Sequence, residues 1–129
     1  APDLKLIVAD RSDGATLLGS RKALTGALLN LLENAMQACH QGGTIRLAGS
    51  RDHQEAILSV ADDGVGIDPS VQERLFEPFF TTRGDGTGLG LAIVRGVTEA
   101  HGGKVELVSA PGKGSEFLVR LPLGIRVRS

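Results

Sequence analysis

The chain has no Trp and no Tyr, and its four Phe leave aromatics at 3% of 129 residues. So few rings provide no row of platforms on which nucleobases could stack. A basic block is missing too: 14 Lys and Arg are interspersed among 15 Asp and Glu, for a formal net charge of −1. Without a basic face there is no electrostatic footprint for a phosphate backbone, so nucleic acid is set aside as a partner. The one cysteine, Cys39, cannot form an intrachain disulfide, and no Cys/His cluster has zinc spacing, which points to a reducing, cytoplasmic setting. No apolar run approaches the roughly 18 residues of a membrane helix, and the N-terminus lacks the charged and apolar parts of a signal peptide. The start at Ala1-Pro2, without Met, reads as a piece excised from a longer protein.

Glycine is present in excess. The 18 glycines are about twice the usual share, and they cluster at positions 64/66, 84 to 90, 102/103 and 112/114. The densest cluster is Thr81-Thr82-Arg83-Gly84-Asp85-Gly86-Thr87-Gly88-Leu89-Gly90-Leu91, leading into Ala92-Ile93-Val94. Glycine at every second position leaves a backbone free to bring its N–H groups close to a ligand. The residues after this loop read as a helix, with Leu91, Val94, Val97 and Thr98 on one face and Gly102 as its stop. A glycine loop feeding a helix N-terminus offers amides and the positive end of the helix dipole to an anion; a plain surface loop is the alternative. Neither familiar phosphate signature fits. No window supplies Gly-x-x-x-x-Gly-Lys-Ser/Thr, and Gly-x-Gly-x-x-Gly would need glycine where Leu89 or Leu91 stands.

In chain order, Leu4-Lys5-Leu6-Ile7-Val8 reads as a strand. Ser20 reads as the N-cap of a helix over 21–39, ended by Gly42-Gly43, with Leu24, Leu28, Leu31, Ala35 and Ala38 as its buried stripe. Asn30 and Asn34 fall one turn apart at the border of that stripe and can point together into a cleft. Their amide oxygens are neutral hard ligands, suited to a Mg²⁺ that already carries phosphates and water; two solvated surface amides are the alternative. Next come two antiparallel strands, Thr44 to Ala48 and Ala56 to Val60. The second runs into Asp62-Asp63-Gly64-Val65-Gly66-Ile67, where a carboxylate can accept from the exocyclic amine of adenine, while the oxo group of guanine would not suit it; a strand-to-loop turn is the plainer reading. Asp68-Pro69 opens a short helix through about Leu75. Phe76, Phe79 and Phe80 bracket Glu77-Pro78 as a hydrophobic latch for the base of the glycine loop. Strands over 104–108 and 116–121, joined by Pro111-Gly112-Lys113-Gly114, complete the chain. The expected fold is an α/β (α+β) two-layer sandwich: a mixed, mostly antiparallel sheet of about five strands, covered on one face by about three helices.

Four separated blocks stand in order: Asn30-Leu31-Leu32-Glu33-Asn34-Ala35, Asp62-Asp63-Gly64-Val65-Gly66-Ile67, Phe76-Glu77-Pro78-Phe79-Phe80-Thr81-Thr82 and Gly86-Thr87-Gly88-Leu89-Gly90-Leu91. They resemble the N, G1, F and G2 boxes of the catalytic ATP-binding domain of sensor histidine kinases, and Gly112-Lys113-Gly114-Ser115-Glu116-Phe117 resembles the final glycine box of that family. The resemblance implies the Bergerat ATP-binding (GHKL) fold over residues 1–129 as one domain. It implies that Asn34, with Asn30 beside it, binds Mg²⁺ near the phosphates of ATP, and that Asp62 binds the adenine amine above a floor of Gly64, Gly66 and Ile67. Gly86, Gly88 and Gly90 match the lid glycines whose amides meet phosphate, with Thr87, Leu89 and Leu91 among them. Arg83 stands where the family often carries a basic residue that reaches the γ-phosphate, and Ser115 where a threonine commonly supports the adenine through a water. The chain departs from many relatives at Gln37 and Ala38, where a basic residue and a stacking aromatic are common. The short lid and its Thr-Thr-Arg form look similar to the nitrogen-regulation group of these kinases.

The same fold serves gyrase-like and mismatch-repair ATPases, so fold does not decide function. Those ATPases resemble one another in a glutamate at the first N-box position; here it is Asn30, which cannot take a proton from water. Glu33 falls opposite the buried stripe, where a solvated charge is expected. Phosphoryl transfer asks the protein mainly to position and neutralise phosphates, with the nucleophile supplied from elsewhere. His40, His53 and His101 all lack the helical His-Glu or His-Asp context of a phospho-accepting histidine. The implied function is therefore transfer of the ATP γ-phosphoryl group to a histidine on an upstream, dimerising helical hairpin, and from there to a response regulator. The isolated domain is expected to be monomeric, and the parent either soluble or attached to the inner membrane. The alternative is a GHKL-type ATPase or an ATP-dependent regulatory or binding module.

Overall fold

The computed structural model describes residues 4–11, 21–39, 42–80 and 89–123. Eight elements succeed one another: β1 Leu4–Arg11, α1 Arg21–Ala38, β2 Gly43–Arg51, β3 Glu55–Asp62, α2 Pro69–Gln72, α3 Gly90–Ala100, β4 Lys104–Ser109 and β5 Ser115–Pro122. The strands form one five-stranded sheet in the order β1-β2-β3-β5-β4. β1 and β2 are parallel, because two parallel neighbours need a crossover of a dozen or more residues and α1 lies between them. All other neighbours are antiparallel. The β2–β3 turn is held by Asp52, whose Oδ1 accepts from the backbone N–H of both Gln54 and Glu55 at 2.7 Å; these two bonds keep its carboxyl below the usual carboxylate range.

α1 and α3 pack together on one face of the sheet. The core joins Leu31, Ala35 and Val94 from the helices to Ile45, Val60, Phe117, Val119 and Leu121 from the strands. Along α1 the most buried line is Ala27, Leu31, Ala35, continuing to Cys39 just past the helix end. The stripe points where expected, but its members differ in depth: Leu24 and Leu28 pack against the core as partly buried residues, and Ala38 is only half-buried. The α3 face is as expected, with Val94 and Thr98 fully buried and Leu91 and Val97 packed against the core. The Thr98 hydroxyl donates to Val94 O one turn back at 2.7 Å, which satisfies it without a partner elsewhere.

α3 ends in a Schellman arrangement. Gly102 N–H donates to Glu99 O and Gly103 N–H to Thr98 O, both at 3.0 Å, with Gly102 at φ 79°. His101 is its C-cap residue, and its Nδ1 lies 2.8 Å from Val97 O, in keeping with a capping role.

α2 is shorter than expected and buries no residue, so among the described residues α1 and α3 carry the cover of the sheet. Its start is as read: Asp68 accepts from Ser70 N–H at 2.8 Å and Pro69 is the first helical residue. Beyond Gln72 the chain continues as successive turns, Arg74 N–H to Val71 O, Glu77 N–H to Arg74 O and Phe80 N–H to Glu77 O. Pro78 opposes a longer helix, because the residue before a proline is pushed out of the helical region. The Phe latch is also only partly realised. Phe76 packs edge-on against Phe117 with ring centroids 6.0 Å apart, but Phe79 adopts φ 67° and is 75% exposed. Phe80 carries the Arg74 guanidinium 4.6 Å above its ring.

Among the described residues no helix covers the opposite face of the sheet. That face carries an ionic cluster in which Arg120 Nε donates to Glu106 Oε1 at 2.7 Å, with Glu55 at 3.6 Å from Arg120 and Lys104 at 3.5 Å from Glu106.

Candidate functional site

The inner face of the sheet alternates side chains of β3 and β5 toward the helices, and at its end this phase delivers two polar residues instead of apolar ones. Asp62 and Ser115 are direct cross-strand partners and are 8% and 6% exposed. Such a pair holds Cβ atoms about 5 Å apart, so carboxylate and hydroxyl share one small buried patch. Asp62 Oδ1 accepts from Gly64 N–H at 2.9 Å, which turns the chain sharply as it leaves the strand.

The adjacent carboxylate does a different job. Asp63 Oδ1 accepts from Thr44 N–H at 2.9 Å and lies 3.7 Å from the Cys39 thiol, tying the end of α1 to the start of β2. Burial, with Asp62 and then Asp63 nearby, pushes the Cys39 thiol pKa up, so the group stays protonated.

The loop after Asp62 is pressed between α1 and the β4–β5 hairpin. A Cβ on Gly64 would meet Ala38 O at 2.4 Å, and one on Gly66 would meet Ala110 O at 2.0 Å. From the other side, Gly114 backs onto the main chain of Asp62 itself. Its φ of 76° belongs to the left-handed region that favours glycine. Ile67 N–H donates to Ser109 Oγ at 2.9 Å, and Ser109 Oγ lies 2.9 Å from Ser115 Oγ.

The other end of the site lies further along α1. Asn30 and Asn34 are half-buried on successive turns, and the Asn30 Oδ1 faces Gly90, the first residue of α3, where a Cβ would stand 3.4 Å from it. Leu89 is the α3 N-cap, and Leu91 packs against the core. With a rise of 1.5 Å per residue, the contact of α1 with Gly90 at Asn30 and its contact with Gly64 at Ala38 lie about 12 Å apart, with Asn34 midway. The described part thus sets a buried acceptor toward one end of α1 and the N-terminus of α3 about two turns back along it. The first amides of α3 have no intrahelical acceptor, which makes that end fit for an anion.

The structure brings together Asp62, Gly64, Gly66, Ile67 and Ser115 at the first end, and Asn30, Leu89, Gly90 and Leu91 at the second. Arg83, Gly86, Thr87 and Gly88 lie outside the described residues. Among the described residues no three His, Cys, Asp or Glu side chains gather as a metal site. The amide oxygens of Asn30 and Asn34 are neutral hard donors of the kind that suit a Mg²⁺ already carrying phosphate and water. Two residues at the site were not singled out from sequence, Ser109 and Gln72. Ser109 left a trace, a polar residue on the inward phase of Val105 and Leu107 in β4; Gln72 left none.

Residues 19–125 match the model of the family described as histidine kinase-, DNA gyrase B- and HSP90-like ATPases. The chain belongs to that family. Within it, the chain is homologous to the catalytic domain of sensor histidine kinases. It is 45% identical over 102 residues to the sensor histidine kinase ZraS of Escherichia coli K12, covering 79% of this chain and 22% of that protein. It is 46% identical over 105 residues to the signal transduction histidine-protein kinase AtoS of the same organism, covering 80% and 17%. The chain thus spans about a fifth of the length of these curated relatives. Among solved structures, the mycobacterial sensor histidine kinase MprB superposes with a TM-score of 0.84 at 32% identity, over 94% of this chain and 83% of that one. Full-length ShkA in complex with AMPPNP superposes with a TM-score of 0.85 at 34% identity, over 97% and 27%. No helix of the described residues is long and apolar enough to cross a membrane.

Proposed function

We propose that this domain binds Mg·ATP and transfers its γ-phosphoryl group to a histidine on a dimeric helical hairpin upstream in the same kinase, from which a response regulator receives it on an aspartate. The transfer takes place on the cytoplasmic side. Residues 1–129 act as one catalytic module of a longer chain.

The observation that carries this reading is the amide of Asn30 beside Gly90. A water-activating ATPase needs a proton acceptor at this position, and a carboxamide has no basic site for that proton. Glu33 is exposed, as expected from the helix wheel. A site that holds ATP without activating water keeps the phosphoryl group for a nucleophile brought to it.

In this reading Asp62 accepts from the adenine amine, while Gly64, Gly66 and Ile67 form the floor and Ser115 supports the base. Asn30 and Asn34 hold Mg²⁺ against the phosphates. Mg²⁺ neutralises charge on the phosphoryl oxygens when bound. Arg83 reaches the γ-phosphate, and the amides of the lid residues Gly86, Thr87, Gly88, Leu89, Gly90 and Leu91 orient the chain of phosphates. That full-length ShkA, which this chain resembles over part of its length, was solved with AMPPNP, an ATP analogue, supports a nucleotide as the ligand.

Calorimetric titration of the chain with Mg·ATP, with GTP as control, tests the binding. One saturable site for ATP alone, with no heat flow after mixing, is expected; sustained heat would favour an ATPase. Transfer is tested by supplying the phosphoacceptor hairpin: Asn34→Asp and Arg83→Ala abolish transfer while circular dichroism is unchanged. Undiminished transfer in both would remove these residues from the mechanism.

A further inference from the structure

We propose that Gln72 is a positioning residue of the nucleotide site, acting through Ile67 and Ser109 to hold the base-reading loop in place; this rests on the ATP-binding reading above.

The loop leaves β3 at Asp62 and enters α2 at Pro69. It is fastened to the β4–β5 hairpin by Gly112 N–H donating to Val65 O at 2.8 Å and by Ile67 N–H donating to Ser109 Oγ at 2.9 Å. Gln72 adds two more links. Its Nε2 donates to Ile67 O at 2.9 Å and to Ser109 O at 3.2 Å. Both neighbours are carbonyl oxygens, which only accept, so the side-chain amide has to present its nitrogen and uses both hydrogens of one NH₂ group. A single side chain thereby bridges the loop to the last residue of β4.

From Ser109 the connection continues to the acceptor patch. Ser109 Oγ donates to Gly114 O at 2.9 Å and lies 2.9 Å from Ser115 Oγ, and Ser115 sits opposite Asp62 in the sheet. Gln72 thus holds the main chain of Ser109, while the hydroxyl of the same residue reaches Gly114 and Ser115. With Gln72 in place, Ile67 is held at both its N–H and its C=O, and the floor at Gly64 and Gly66 is set against Asp62. Without it, two carbonyls lose a donor, and the loop is held to the hairpin only by the Gly112–Val65 and Ile67–Ser109 bonds. The loss falls on the base end of the site, because Asn30 and Gly90 lie at the other end and share no bond with Gln72.

Calorimetry of this chain with Mg·ATP and Mg·ITP, which carries an oxo group in place of the adenine amine, tests the role alongside thermal melting. Gln72→Leu keeps the volume and removes both donors; it is expected to weaken ATP about five- to tenfold, the loss of two modest hydrogen bonds. ITP weakens less, so the preference for ATP narrows. Gln72→Glu, which sets a carboxylate against two carbonyls, weakens ATP further than Gln72→Leu. A purely structural side chain would give the opposite pattern, a lowered melting temperature with the ATP-to-ITP ratio unchanged, and that result overturns the proposal. So does unchanged ATP affinity in either variant. If Gln72→Leu does not fold, the ratio measured on Gln72→Glu decides. Failure of the unaltered chain to bind ATP would instead overturn the nucleotide reading, and this role with it.

Discussion

Gly64 lies so close to the Ala38 carbonyl that a Cβ added to it would approach that oxygen to 2.4 Å and its carbon to 2.8 Å. The obstacle is backbone at the end of a helix, which cannot swing aside as a side-chain tip could. Gly64→Ala therefore displaces the loop rather than the helix. ATP affinity measured by calorimetry is expected to fall at least about tenfold, while the circular dichroism of the core is retained. Unaltered affinity would mean that the loop does not form the floor for the base.

Gly96 offers the contrast. It lies inside α3 with nothing within 4 Å of a prospective Cβ, so Gly96→Ala meets no obstacle and restricts the unfolded chain. A gain of about 0.5–1 kcal/mol is expected, raising the melting temperature by about 2–5 °C. A calorimetric scan reads it directly.

The two phenylalanines of the partly formed latch separate in the same measurement. Phe76 is packed edge-on against the fully buried Phe117, and Phe76→Ala is expected to cost about 2–4 kcal/mol, below the full range for a core phenylalanine because the ring is only half-buried. Phe79→Ala, at a ring that is 75% exposed, is expected to stay within about 0.5 kcal/mol of the unaltered chain. Equal effects from the two would restore the three-ring latch.

Cys39 gives the pH dependence. Its thiol pKa is raised in the folded chain, first by burial and then by Asp62 and Asp63. The stability that this shift contributes is fully present below the ordinary thiol value of 9.0 and is lost as pH rises through the higher folded value. Denaturant melts of the unaltered chain should thus weaken above that pH more steeply than those of Cys39→Ser. At neutral pH, reaction with an aromatic disulfide reagent should be slow until the chain unfolds; rapid labelling of the folded chain would contradict a buried, protonated thiol.

Much of this architecture was legible locally. Short apolar or alternating runs marked all five strands, Asp68-Pro69 marked the start of α2, and Gly102 marked the end of α3, because each signal lies within a few residues of what it specifies. The five blocks also named both ends of the site, including Asp62 and Ser115, far apart in the chain. Their juxtaposition came from sheet order. β5 is inserted between β3 and β4, and no local pattern encodes which strand sits next to which.

Long-range packing likewise decided between neighbours that look alike in sequence. Asp62 and Asp63 are chemically identical, yet strand phase turns Asp62 inward beside Ser115 and gives Asp63 to Thr44 and Cys39. The three phenylalanines were separated by the left-handed backbone at Phe79, and packing made Ala27 rather than Leu24 or Leu28 a fully covered member of the α1 stripe. Gln72 carried no signal, since its partners Ile67 and Ser109 are brought to it only when the hairpin closes over the loop. Side-chain period and backbone propensity, both local, specify the elements and the chemistry at each end of the site. Which of those groups meet is a property of the folded sheet and its two helices, because the contacts join residues far apart in the chain and packing alone selects them.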